Sequence, residues 1–319
     1  MQEVPPAQDR PHPGARRPYP WPTTIMPAQT EEPIIRLVLP KGRMQEAVFD
    51  LLEHAGIHIT ASGRNDRDYR PKLSLPGFEA KLLKPQNIVE MLHVGSRDLG
   101  FAGADWVAEK NVDLVELLDT ELDPVSLVAA LPNKMLIDGA LPTQHLVVAS
   151  EYERLTRDWI AARGLDATFV RSYGATEVFP PEDADCIVDN TATGSTLRAN
   201  GLAIVDTLMK SSTRLYAHPA ALKHAEKRAS IESFVTMVRS VLDARRRVMV
   251  EVNVSAENLE AVIEVLPCMR EPTVSPLHGD GGFALKAAIP REVLARVIPE
   301  IKARGGTDIV VFQIGNIVA

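Results

Sequence analysis

The sequence predicts an α/β protein: two lobes of mainly parallel strands covered by helices, then a smaller module of order βαββαβ. Three observations carry this. From Ile34 onward, short apolar runs alternate with stretches of helical periodicity, the order that builds parallel sheets with helices on both faces. After Arg245-Arg246-Arg247 the order changes to strand, helix, strand, strand, helix, strand. The chain has 319 residues and is 45 % hydrophobic, enough for two or three domains with a sizeable core.

Composition removes several function classes. The net charge of −7 argues against general nucleic-acid binding, so anionic substrates need a local basic site. No run of about 18 apolar residues occurs, so no membrane span or membrane partner is expected. The two cysteines, Cys186 and Cys268, do not make a disulfide framework and fit a reducing cytoplasm. Residues 1–33 are rich in proline, lack the apolar core of a secretory signal and read as a disordered extension, with Met26 a candidate start.

Ile34–Leu39 reads as a strand and Pro40-Lys41-Gly42-Arg43 as a basic turn. Met44, Ala47, Val48, Leu51, Leu52 and Ala55 then mark one helix face, stopped by Gly56. Residues 64–71 are a polar, charge-alternating loop. Lys81–Lys84 is a strand, and Pro85 opens a helix at its first turn. Leu99–Gly103 is a strand, with Asp105 expected to cap the following helix rather than to catalyse. Gly103 is a point where a ligand can approach the backbone. A second lobe is expected to begin with a strand at Ser126–Leu131, followed by a strand at His145–Ala149. Ser150-Glu151-Tyr152-Glu153 reads as a capping box for a helix to Arg163, with Gly164 as its stop. Ala167–Val170 and Ser211–Tyr216 are strands, and the stripe Ile231, Phe234, Val235, Val238, Val241, Leu242 is a core-facing helix. The first lobe is thus 34–125 with 219–246, the second 126–218, and the terminal module 247–319. The last has the strand–helix order of ferredoxin-like folds, and its Cys268 and His278 are too sparse for a metal site.

The chemistry concentrates at Ala184–Met209, read as strand, tight loop and helix. Cys186-Ile187-Val188 is a buried-strand run, and Leu197, Ile204, Val205 and Leu208 recur at helical spacing. Between them, Asp189-Asn190-Thr191-Ala192-Thr193-Gly194-Ser195-Thr196 can turn backbone N–H groups and hydroxyls toward one anion at a helix start. Asp189, at the strand end, can accept from a vicinal diol. Together these describe a ribose 5-phosphate. Ser, Thr and Gly are also what any strand-to-helix turn uses, and no Walker loop occurs.

The run Ala184-Asp185-Cys186-Ile187-Val188-Asp189-x-x-x-Thr193-Gly194-Ser195-Thr196-Leu197-Arg198-Ala199-Asn200-Gly201-Leu202 resembles the phosphoribosyl-pyrophosphate loop of the ATP phosphoribosyltransferase family, which opens histidine biosynthesis. Lys41-Gly42-Arg43, Leu83-Lys84-Pro85-Gln86-Asn87-Ile88, Asp98-Leu99-Gly100-x-x-Gly103-x-Asp105 and Gly174-Ala175-x-Glu177 follow the same family in the same order. The resemblance spans about 34–319. It implies a core like type II periplasmic binding proteins, with the ligand between the lobes, and a terminal ferredoxin-like regulatory domain of the long form. It implies transfer of a phosphoribosyl group from phosphoribosyl pyrophosphate to N1 of ATP, with Mg²⁺ as cofactor bound mainly through substrate phosphates. Asp189 to Leu197 would hold phosphoribosyl pyrophosphate; Lys41, Gly42, Arg43, Tyr69, Arg70 and Gly103 would hold ATP; Asp189, Glu177 and Arg43 would be the catalytic group. Histidine would inhibit through the terminal domain, and the enzyme would be a cytoplasmic homo-oligomer of dimers and hexamers. Thr120-Glu121-Leu122-Asp123-Pro124 lacks the family's Phe-Gly, and Gly315-Asn316 lacks its common basic residue. The residues alone leave open a non-catalytic two-lobed sensor or a phosphoribosyltransferase for another base.

Overall fold

Apolar alternation and helical stripes place the elements much as expected. The computed structural model describes residues 33–60, 69–136, 141–279 and 281–318, which belong to one compact unit beginning at Pro33. The proline-rich extension at 1–32, Arg64 to Asp68 of the polar loop, and Asp280 lie outside the described residues.

The largely apolar β1 (Ile35–Pro40), interrupted by Arg36, leads into α1 (Gln45–His54), whose Val48, Leu51 and Leu52 are buried. Two short strands, β2 (Ile59–Thr60) and β3 (Lys72–Leu73), form a small antiparallel pair. Then follow β4 (Phe78–Leu83), α2 (Pro85–His93) with proline in its first turn, β5 (Leu99–Gly103), α3 (Ala104–Lys110) and the long β6 (Val115–Pro132). The second lobe adds β7 (Leu146–Ser150), α4 (Glu153–Arg163), β8 (Ala167–Arg171), β9 (Cys186–Thr191), α5 (Ser195–Ala199) and β10 (Leu202–Ala217). The chain returns through α6 (Pro219–Lys223) and α7 (Ala225–Arg245), the latter burying Ile231, Phe234, Val238 and Val241.

These strands form one sheet in the order β4-β1-β5-β10-β6-β9-β7-β8. Its two ends are parallel (β4-β1-β5 and β9-β7-β8), and β6 and β10 join them antiparallel at the centre. The two lobes are therefore linked by two long crossing strands. The second lobe's first strand does not begin at Ser126: β6 starts at Val115 and carries the chain across. Near the crossing, Glu121 and Asp123 take positive φ, 58° and 46°, inside an irregular stretch of β6–β10 pairing, in the segment that lacks Phe-Gly.

The helix expected through Met209 is not there. After five residues α5 stops at Asn200-Gly201, with Gly201 at φ 69°, and Leu202–Ala217 is strand β10. Register shifts between Ile204 and Asp206 and between Thr207 and Met209 let Val205, Leu208 and Met209 pack on one core. A bulged strand thus imitates helical spacing. The capping box is also replaced. Ser150 Oγ accepts from the Tyr152 N–H (2.9 Å) and donates to the Val188 carbonyl (2.6 Å), while Glu153 pairs with Arg157 and Arg171. Gly164 ends α4 in the left-handed region as expected.

The terminal module contains β11 (Arg247–Val254), α8 (Leu259–Ile263), β12 (Thr273–Pro276), β13 (Phe283–Pro290), α9 (Leu294–Ala303) and β14 (Thr307–Gln313). Its antiparallel sheet, β12-β13-β11-β14, is the ferredoxin-like order. Val248, Val250, Val252 and Val254 alternate into its core against α8 and α9. Its tail returns to the first lobe: Asn316 Nδ2 donates to Ser240 Oγ (3.0 Å) and the Ile317 N–H to the Ser240 carbonyl (2.9 Å).

Candidate active site

Two adjoining clefts open where the lobes meet. The larger, about 340 Å³, is lined by Lys41, Arg43 and Met44 from the first turn, Pro85 and Gln86 from α2, Gly103, Asp105 and Trp106, Asp123 and Val125 of β6, Glu151, Asn190, and Ser211, Ser212 and Thr213 of β10. The smaller, about 230 Å³, is lined by Arg43, Glu177, Asp189 to Thr193, and Ser195 to Leu197. Arg43 and Asn190 belong to both.

The loop is built from β9. Asp189 pairs with Val128 and Asn190 with Leu127, so the strand runs two residues past Asp189 before the chain turns. The Gly194 N–H donates to Thr191 Oγ1 (2.9 Å), and Thr193 Oγ1 donates to Ser195 Oγ (3.0 Å). Gly194 sits at φ 72°, and a Cβ there would meet Arg198 Nη1 at 2.9 Å. Since α5 has only five residues, the expected helix-dipole contribution is small.

Asp189 is half-buried, and its carboxylate accepts from the Asn190 N–H (2.7 Å). Burial, with the nearby negative charges of Glu177 and Glu151, pushes its pKa up to about 6, while the Asn190 N–H and the Arg43 charge oppose the rise. A cation facing this carboxylate finds a partner already short of positive charge. Arg43 is exposed and forms no ion pair among the described residues.

Other expected residues sort differently. Lys41 Nζ donates to Tyr69 OH (3.1 Å) and lies 4.3 Å from the Tyr69 ring centroid. Tyr69 and Arg70 line neither cleft, and Gly42, at φ 97°, shapes the turn between Lys41 and Arg43 without lining one. Gly103 lines the larger cleft, and a Cβ there would also lie 2.2 Å from Asp105 Oδ1. Asp105 is not a helix cap. It is buried and accepts from Tyr152 OH (2.6 Å) and Ser211 Oγ (2.8 Å). In the sequence Tyr152, Ser211, Ser212 and Thr213 stand only as helix-start and strand residues, with no motif to mark them. Among the described residues no group of three or more His, Cys, Asp or Glu is placed to hold a metal. A Mg²⁺ ion here would take most ligands from phosphate and water, as that ion usually does, and Asp189 and Glu177 are carboxylates in the lining of the smaller cleft.

Fold and site define a two-lobed α/β protein with its ligand cleft between the lobes. The family model "ATP phosphoribosyltransferase" matches residues 84–240, and the model of that family's C-terminal domain matches 244–316. The chain is 33 % identical over 290 residues to the ATP phosphoribosyltransferase of Chlorobium luteolum, covering 89 % of this chain and 98 % of that one. It is 35 % identical over 289 residues to that of Desulforudis audaxviator, with 89 % and 99 % covered. A solved structure, the ATP phosphoribosyl transferase (HisG:HisZ) complex from Thermotoga maritima, aligns with a TM-score of 0.58 at 25 % identity, over 66 % of this chain and 99 % of that one. The chain belongs to the ATP phosphoribosyltransferase family and is a pentosyltransferase of histidine biosynthesis. Among the described residues no helix is long and apolar enough to cross a membrane.

Proposed function

We propose that the protein joins ATP to phosphoribosyl pyrophosphate, giving N1-phosphoribosyl-ATP and pyrophosphate. The observation that carries this is the shared lining of the smaller cleft by Asp189, the Thr191–Leu197 loop, Glu177 and Arg43. Loop amides and hydroxyls hold the 5-phosphate, and Asp189 accepts from the ribose diol. Arg43, with Lys41 and Gly42 behind it and Tyr69 and Arg70 beyond, holds ATP phosphates. The adenine N1 lone pair forms the bond to C1′ as the C1′–oxygen bond breaks and its electron pair leaves with pyrophosphate. N1 needs no deprotonation, so positioning and stabilisation of a cationic sugar do most of the work. The nearby Asp189 and Glu177 carboxylates favour that positive charge. Mg²⁺, when bound, neutralises the leaving pyrophosphate.

The ferredoxin-like module binds histidine and lowers activity by favouring one arrangement of the lobes, and the enzyme works as a cytoplasmic homo-oligomer of dimers and hexamers. Incubation with phosphoribosyl pyrophosphate, Mg²⁺ and ATP is expected to yield a new ultraviolet-absorbing adduct and stoichiometric pyrophosphate. Unchanged ATP under those conditions overturns the reading.

A further inference from the structure

One hydrogen-bond chain joins the lobes beside the larger cleft, which Asp105, Asn190 and Ser211 line, and ends on the loop. Tyr152, at the start of α4, is fully buried, with its ring stacked on Trp106 at 4.5 Å between centroids. Its hydroxyl donates to Asp105 Oδ2 (2.6 Å) and accepts from Asn190 Nδ2 (2.9 Å). Asp105 Oδ1 takes a further bond from Ser211 Oγ on a crossing strand (2.8 Å), and Ser211 Oγ accepts the Asp105 N–H (3.0 Å). Asp105 comes from the first lobe, Ser211 from the crossing, Tyr152 and Asn190 from the second.

We propose that Tyr152 and Asp105 are positioning residues that set the phosphoribosyl-pyrophosphate loop through the Asn190 amide, so that the loop is competent only while the two lobes are engaged. The inference rests on the proposed transfer reaction. Asp105 is a buried carboxylate with no ion-pair partner among the described residues, so its two hydroxyl donors are what compensate its lost hydration. Separating the lobes strips away the Tyr152 donor, which ties the buried acid to one lobe arrangement. The phenol stays a donor, because burial and the adjacent Asp105 hold its pKa far above the ordinary tyrosine value. Downstream, one bond fixes the Asn190 amide, and the Asn190 N–H holds the Asp189 carboxylate. A second tie runs from the Tyr152 N–H through Ser150 to the Val188 carbonyl, one residue before Asp189. Neither Tyr152 nor the Asp105 carboxylate needs to touch substrate for this.

The test compares steady-state constants of wild type, Tyr152→Phe, Asn190→Ala and the double variant, with melting temperatures alongside. Tyr152→Phe keeps the stacked ring and removes one oxygen. We expect KM for phosphoribosyl pyrophosphate to rise about tenfold, with kcat and KM for ATP within threefold of wild type. The double variant should be no worse than Asn190→Ala alone, because the hydroxyl acts through the amide. Asp105→Asn should show the same substrate-selective loss and carries the test if Tyr152→Phe does not fold. A phosphoribosyl-pyrophosphate KM within twofold of wild type, equal rises in both KM values, or additive losses in the cycle each overturn the proposal. Wild-type protein without transfer activity overturns the functional reading instead, before any variant is compared.

Discussion

Asp189 carries two demands that pull against each other. As a diol acceptor it must be ionised, yet its surroundings raise its pKa from 3.8 to about 6. The folded carboxyl holds its proton more tightly than the unfolded one, so its ionisation between pH 3.8 and about 6 lowers stability as pH rises. A cation or sugar hydroxyls brought to it by substrate offset that loss. We therefore expect affinity for phosphoribosyl pyrophosphate, measured by titration calorimetry, to fall as pH drops through about 6. The substrate's own 5-phosphate titrates near pH 6 as well, so Asp189→Asn is the comparison that matters. It should bind more weakly at pH 8 and lose less on acidification; identical pH profiles for the two proteins would assign the effect to substrate alone. Asp189→Ala should lower transfer at least tenfold, about 1.4 kcal/mol. Gly194→Val should do the same for a different reason. At φ 72° a β-branched residue costs at least about 1–2 kcal/mol, and the loop must change shape.

At the scale of elements, Asp98 locks three of them. It accepts from the Arg36 N–H (2.8 Å) and Nε (2.9 Å) on β1 and from Lys227 Nζ (2.9 Å) on α7, just before β5 begins. These cations and bonds hold its pKa at about 2 against the opposing effect of burial. The folded-state value is lowered, so the stabilisation is fully present above about pH 4 and is lost as pH falls through about 2. Asp98→Ala should cost about 3 kcal/mol, the low end for breaking a buried pair because Arg36 can rehydrate, read as a shifted denaturant midpoint. An unchanged midpoint would mean the lock is ornamental. Elements of this kind were legible in the sequence: β1 and β5 are short, mostly apolar runs, and α2 and α7 carry buried stripes at helical spacing. The crossing strands were not. β6 and β10 mix exposed and buried positions, carry bulges, and draw order from pairing across 70 residues of chain (Leu202 with Pro132) or more. The loop was legible because its residues are contiguous. Asp105, Tyr152 and Ser211 were not, because only tertiary contact brings them together.

The whole molecule has a −7 charge, so the anionic substrates proposed above depend for local attraction on cleft cations such as the exposed Arg43. Binding should weaken markedly with added salt, as exposed Arg43 is screened. Regulation belongs to this scale too. A chain ending near Arg247 should keep some transfer but lose inhibition by histidine, since coupling requires histidine to favour one state of the catalytic lobes. Equal inhibition of an active truncated chain would place the effector site elsewhere. The return of Asn316 and Ile317 to Ser240 limits how such coupling can work. The terminal module is fastened twice, at its entry from α7 and at its last residues, like a door hung on two pins. A body held at two points has one easy motion, rotation about the line joining them, and swinging wide means pulling a pin. We expect the Ile317 amide to stay protected from hydrogen exchange when histidine binds; if it exchanges freely, the door comes off one hinge.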